Sequence, residues 1–178
     1  METAEKYLGR HRIPSARATW WEYDKMADYF VTINLRGRQH YFGEITDGQM
    51  HLTPAGAIAD VLWRQIPLHR PDWKLGAYVI MPDHMHGVLT KMTPPDGGDA
   101  PKDDRPKQIT SNSLSSVVGS YKSAVTKNVR HLGYDFGWQS RFYDVIIRDE
   151  RHYMATTNYI NDNVRRWWMD RGDGMSSQ

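Results

Sequence analysis

Two stretches of this chain carry residue types at spacings that can do chemistry: His84-Met85-His86 and Tyr159-Ile160-Asn161-Asp162-Asn163. The first opens a β run after a tight turn at Pro82-Asp83, within Tyr78-Val-Ile-Met-Pro-Asp-His-Met-His-Gly-Val-Leu-Thr90. Strand side chains alternate faces, so His84 and His86 point the same way, about 7 Å apart along the backbone. Two imidazoles converging from one strand can hold one divalent cation. The plainer reading of a short His-x-His is one surface and one core histidine. In the second stretch Tyr159 and Asn163 are four residues apart and stack on one helical face. Taken alone, the plain readings are a packing tyrosine and a solvent-facing amide.

The elements that must position these residues follow from local pattern. Tyr29-Phe-Val-Thr-Ile-Asn-Leu35 is β-branched and aromatic, a strand signal. Gly37-Arg38 marks a turn, Tyr41-Phe-Gly-Glu-Ile45 is expected to return as a hairpin, and Met50-His-Leu-Thr53 is a short strand after the Asp47-Gly48 turn. Thr53 before Pro54 caps a helix with Ile58, Val61, Leu62 and Ile66 on its stripe, ended by Pro67. The nearly continuous apolar run from Leu75 to Met81 suits a strand covered on both faces. Ser113 caps a helix to about Arg130, with Leu114, Val117, Val118, Tyr121 and Val125 on its apolar stripe. Phe142-Tyr-Asp-Val-Ile-Ile147 is a strand, and Asp149 caps a last helix through about Met169. Its expected core stripe is Tyr153, Ile160, Val164 and Trp167, with Tyr159 and Asn163 about 100° away at helical pitch.

Without the extra hairpin the order is β-α-β-β-α-β, a ferredoxin-like α+β arrangement of an antiparallel sheet backed by two helices. The last helix is an addition. Residues 1–27 form a basic arm containing Trp20 and Trp21, residues 28–170 a single domain, and residues 171–178 a frayed tail. Within the domain, residues 92–113 hold Pro94-Pro95, Gly97-Gly98 and alternating charges, the composition of a mobile loop.

Bulk properties bound the function. A length of 178 residues, 39% hydrophobic and 25% charged, suits one water-soluble domain. A net charge of +2 gives only weak support for a polyanionic partner, but seven Trp and ten Tyr sit close to clustered Arg and Lys. That mixture suits phosphate contact with base stacking. With no cysteine, thiolate metal sites and disulfides are excluded. No apolar run reaches the roughly 18 residues of a membrane span, and the start lacks the apolar core of a secretion signal. A cytoplasmic protein without membrane partners is the expectation.

Taken together, several motifs resemble one family. Val79-Ile-Met-Pro-Asp-His-Met-His-Gly87 is followed by Trp138-Gln139, Phe142-Tyr143, Ile146-Ile-Arg-Asp-Glu150 and Tyr159-Ile160-x-x-Asn163. This set resembles the HUH single-strand DNA transposases, in the branch called REP-associated tyrosine transposases. Tyr29-Phe-Val-Thr-Ile33 and Phe42-Gly-Glu-Ile45 fit the same branch, and the resemblance covers roughly residues 20–168. It implies a metal-dependent enzyme that cleaves and rejoins single-stranded DNA carrying hairpins. By the resemblance His84, His86 and Asn163 bind Mg²⁺ or Mn²⁺, and Tyr159 is the nucleophile.

Phosphodiester chemistry fits these roles. A dication neutralises the non-bridging oxygens, while a phenoxide is both a good nucleophile and a tolerable leaving group, which suits a reversible step. The product is a 5′-phosphotyrosine and a free 3′-hydroxyl. Tyr121 and Tyr153 fall on expected core faces, and Tyr143 has no ligand partner four residues on. Candidate DNA contacts are Arg36, Arg38, Lys122, Lys127, Arg141, Arg148, Arg165 and Arg166, with Trp138 as a stacking platform. Two other readings stay open: a metal hydrolase that activates water, and a noncatalytic nucleic-acid-binding protein. Monomer and homodimer are both compatible with the sequence.

Overall fold

The computed structural model describes residues 27–92 and 113–172. Apart from their boundary residues, the expected basic arm, the 92–113 loop and the C-terminal tail lie outside this range, as do Trp20 and Trp21. Alternation along β1 (Ala27–Asn34) buries Tyr29, Val31 and Ile33 on one face and turns Phe30 and Thr32 to the other. β1 pairs antiparallel with β5 (His84–Lys91) and β6 (Tyr143–Ile147), and β4 (Trp73–Ile80) pairs with the far side of β5. The resulting order β4-β5-β1-β6 is the ferredoxin-like sheet that the element order implied.

The expected hairpin is there, but Tyr41–Ile45 does not return onto β1. Its core becomes β2 (Gly43–Thr46) and pairs with β3 (Gln49–Leu52) in a separate two-stranded sheet. A short 3₁₀ turn at Arg36–Arg38 causes the departure. Gly37 and Arg38 both adopt positive φ, at 63° and 54°, which swings the chain off the main sheet.

Thr53 caps α1 (Pro54–Arg64) by accepting from the Gly56 amide. The buried face of α1 is Ala55, Gly56, Ala59 and Trp63, while Val61, expected on the stripe, is 50% exposed. Small residues won because the helix lies very close to the chain at Phe42; a Cβ on Gly56 would stand 2.1 Å from the Phe42 carbonyl oxygen. Pro67 does not simply end the helix. It sits in the first turn of a second short helix, α2 (Ile66–His69), where its missing N–H costs nothing. α3 (Leu114–His131) begins at the expected Ser113 cap and buries Leu114, Val117, Val118, Tyr121, Val125 and Val129.

The sheet therefore has two unequal faces. Tyr29, Val31, Ile33, Met85 and Leu89 meet α1 and α3 in the large core. The opposite face carries a small cluster of Val88, Ile147 and Ile160, flanked by Phe30, Val79 and Tyr153. Over this second face run α4 (Glu150–Asn161), capped by Asp149, and α5 (Asn163–Gly172). The sequence pattern predicts one helix here. The chain relaxes at Asp162 to φ −88°, ψ −3°, where the Asp162 carboxylate is drawn to Arg165 and Arg166.

Gly87 is where the two faces constrain each other. A Cβ there would stand 2.4 Å from Cζ2 of Trp63, whose ring is fully buried. Gly87→Ala is expected to destabilise the fold by about 1–3 kcal/mol through overpacking, read as a lower urea midpoint at an unchanged m-value.

Candidate active site

Strand register brings the two histidines together. His84 lies opposite Asn34 and His86 opposite Thr32, all on the face under α4 and α5. Both imidazoles are buried, each only 6% exposed. Their Nε2 atoms are 3.1 Å apart. Each Nδ1 is tied down from behind: His84 Nδ1 lies 2.5 Å from Asp83 Oδ1, and His86 Nδ1 lies 2.8 Å from Thr32 Oγ1. A carboxylate can only accept, so His84 donates from Nδ1, and in the neutral ring its Nε2 then presents a lone pair. If His86 donates likewise to Thr32, two lone pairs face one point.

That donor set fits a divalent cation. Metal–nitrogen bonds of about 2.0–2.1 Å place two nitrogens roughly 3.0 Å apart at a right angle and roughly 3.4 Å apart at a tetrahedral one, which brackets the observed spacing. Among the described residues no group of three or more His, Cys, Asp or Glu gathers to hold a metal. Further ligands for such an ion would have to be amide, water or substrate oxygens.

Asp83 belongs to this site although the sequence patterns did not single it out. Burial pushes its carboxyl up, but the hydrogen bond from His84 and the nearby Arg38 charge outweigh burial and hold it below the usual carboxylate range. Arg38 Nε stands 2.9 Å from Asp83 Oδ2, and its Nη1 donates to Asn34 Oδ1. The left-handed turn at Gly37-Arg38 aims this guanidinium. Burial, with His84 and Arg38 close by, lowers the His86 imidazole to about 3, so it is neutral at physiological pH.

The helices close over the pair. Tyr159 on α4 has its hydroxyl 3.5 Å from His86 Nε2, within the same chain. Its ring stands edge-on to Phe30, which in turn stacks on His86. Two turns later Trp167 leans on His84, with ring centroids 5.9 Å apart. Asn163 lies midway between Tyr159 and Trp167 on one helical face and is 8% exposed. Of the expected core stripe of the last helix, Ile160 is buried and Tyr153 packs beside it, whereas Val164 and Trp167 are only partly buried, and Thr156 and Asn163 complete the buried face. The sheet surface under this end of the helix is the histidine pair, so the helix meets it with polar and aromatic groups.

The expected DNA-contact residues scatter. Arg38 is engaged with Asp83, and Arg166 lies with Cζ 5.7 Å from the Tyr159 ring centroid. Arg165 and Arg166 both pair with Asp162. Arg141 and Arg148 are exposed at the two ends of β6. Arg36 pairs with Asp135. Lys122 and Lys127 lie on α3, beyond the opposite face of the sheet, where Lys122 donates to the Gln139 carbonyl at 2.8 Å. Trp138 packs against Phe42, Phe136 and Tyr121 at the large core and donates to the Lys122 carbonyl at 3.0 Å, so its indole serves packing.

The fold is that of a REP-associated tyrosine transposase. A solved structure of that transposase bound to a REP hairpin superposes with a TM-score of 0.59 at 23% identity, over 88% of this chain and 76% of the other. The chain belongs to one family with an uncharacterized protein of Haemophilus influenzae, to which it is 31% identical over 175 residues, 95% of this chain and 97% of its relative. No family model matches it. No helix among the described residues is long and apolar enough to cross a membrane.

The His86 shift has a consequence for stability. Its folded value of about 3 lies below the unfolded 6.5, so between them the unfolded chain binds the extra proton. Stability is full above about pH 6.5 and falls as pH drops toward 3. Urea midpoints measured across that range without added metal should decline for the wild type and decline less for His86→Gln.

Proposed function

We propose that the protein is a divalent-cation-dependent transposase, or a domesticated descendant of one, that cleaves and rejoins single-stranded DNA at hairpin-bearing sites. The reaction runs through a 5′-phosphotyrosine. One observation carries this reading: the Tyr159 hydroxyl lies 3.5 Å from a histidine nitrogen that is itself 3.1 Å from a second one. A phosphate oxygen bound at the pair would lie within reach of the phenol. Likeness of fold to a transposase solved with a REP hairpin supports hairpin DNA as the substrate class.

In this reading His84, His86 and the Asn163 amide oxygen hold Mg²⁺ or Mn²⁺. The bound ion supplies Lewis-acid neutralisation of the phosphate's non-bridging oxygens. The chain's own residues do the rest. Tyr159, 38% exposed, gives up its proton to solvent. Its oxygen forms a bond to phosphorus, the bond to the 3′-oxygen breaks, and that oxygen leaves as a 3′-hydroxyl after taking a proton. Rejoining is the reverse, with the 3′-hydroxyl attacking and the phenol leaving. No nucleotide cofactor is needed, because the ester energy is kept in the phosphotyrosine. Arg166, beside the Tyr159 ring, is suited to hold a phosphate oxygen. A groove of about 380 Å³ lined by Phe30, Tyr143, His152 and Thr156 runs up to Tyr159 and offers the strand a path. Of the remaining basic candidates, Arg141 and Arg148 flank that groove's strand and suit phosphate contact. Tyr159 reaches the histidine of its own chain, which supports attack by a chain's own tyrosine.

Incubation with Mn²⁺ and a panel of single-stranded hairpin oligonucleotides, followed by a denaturing gel, tests the reading. A covalent adduct is expected for the wild type and for Tyr121→Phe, whose hydroxyl only donates to the Ala59 carbonyl. It should be lost in Tyr159→Phe and on chelation. Cleavage that persists in Tyr159→Phe without an adduct would point to metal-activated water instead. Binding with no cleavage under any condition would point to a noncatalytic DNA-binding protein.

Asp83→Asn removes the charge that fixes the His84 tautomer. The Mn²⁺ concentration for half-maximal adduct should rise by about 10–100-fold, with saturating metal restoring most of the yield.

A further inference from the structure

The histidine pair does not end at bulk water on the α5 side. α5 packs across β2 and β3, and the space between them is a groove of about 290 Å³ lined by His40, Glu44, Pro82, Trp167, Trp168 and Arg171, together with Ile45. One wall is shared with the site, since Trp167 touches both His84 and His40 at 5.9 Å between centroids. The Arg171 guanidinium sits 4.2 Å from the Trp167 ring centroid. Trp168 is 40% exposed and lies beside the β2–β3 turn, where a Cβ on Gly48 would be 3.9 Å from its Cδ1.

Indole walls with an arginine above them are what unpaired bases stack on. Apolar walls alone would suit many occupants, so the charges decide. Arg171 favours an anionic chain. Glu44 is the acid in the lining, and it repels a phosphate while accepting from an exocyclic amine. Phosphate toward Arg171 and base edge toward Glu44 is the arrangement that satisfies both.

We propose that this groove is a base-binding subsite for one unpaired nucleotide flanking the cleaved phosphodiester. Trp168, the exposed ring of the pair, stacks on the base while Trp167 forms the wall toward the histidines, Arg171 meets the phosphate, and Glu44 selects a base with an amino group over thymine. The inference rests on the reading given under Proposed function and adds to it a subsite and its base preference.

The test uses single-stranded hairpin oligonucleotides with single-stranded flanks, replaced one nucleotide at a time by an abasic residue. Each is measured for equilibrium binding and, on the same material, for adduct formation. One flanking position should lose about ten-fold in affinity on removal of its base. Trp168→Ala should lose the same amount with the intact strand and nothing further with that abasic strand. At that position thymine should bind several-fold more weakly than cytosine or adenine, and Glu44→Gln, a surface change, should flatten the difference. Adducts that form normally while the abasic and Trp168→Ala losses simply add, or while Glu44→Gln leaves base preference unchanged, would overturn the subsite and leave the proposed reaction standing. Absence of both binding and adduct would overturn the reaction and the subsite with it.

Discussion

Everything at this site depends on holding two imidazoles nitrogen to nitrogen, 3.1 Å apart, on a buried strand. Left alone, rings so close would rotate apart or take up water. Three constraints stop them. β5 is paired on both sides, so its register cannot drift without breaking two ladders. Asp83 and Thr32 hold the two Nδ1 atoms. On the far face Trp63 presses on Gly87, between Met85 and Leu89, where a side chain has no room. A slip of one residue would send both histidines into the large core and expose Met85.

The unequal faces explain where rigidity and access reside. The α1 and α3 side buries most of the apolar surface and fixes the sheet. The α4 and α5 side has three buried apolar anchors, Val88, Ile147 and Ile160, and then a polar stretch of Thr156, Asn163 and the histidines. Less apolar burial means a lower cost of local opening. The helices that carry Tyr159 and Trp167 are therefore the part of the described structure best able to yield to a substrate, while the imidazoles beneath them stay fixed.

Much of this was legible from local pattern, and the failures have two causes. The β5 alternation placed His84 and His86 on one face, and the caps at Thr53, Ser113 and Asp149 lie where side-chain chemistry put them. Tyr121 is core, as its place on the apolar stripe implied. What misled was the assumption that a large apolar residue faces core. Trp167 faces a histidine and Val61 faces solvent. Hydrophobic periodicity reports a preference for burial without saying what lies opposite. Thr32 escaped as a site residue, and Arg38 was read only as a DNA contact, for another reason: their roles come from cross-strand register and a left-handed turn, which no local spacing encodes.

Depth also bears on the kind of nucleic acid the site can serve. The imidazoles lie at 6% exposure under a lid of Phe30, Tyr159 and Trp167, whereas the phenol is 38% exposed. A phosphate must pass among aromatic rings to lie between the phenol and the nitrogens. A duplex carries its phosphates on a stiff, regular cylinder that costs several kcal/mol to bend sharply. An unpaired strand can lead a single phosphate inward and leave its bases to stack on the rim. Under the proposed reaction, burial of the histidines favours single strands over duplex on steric grounds.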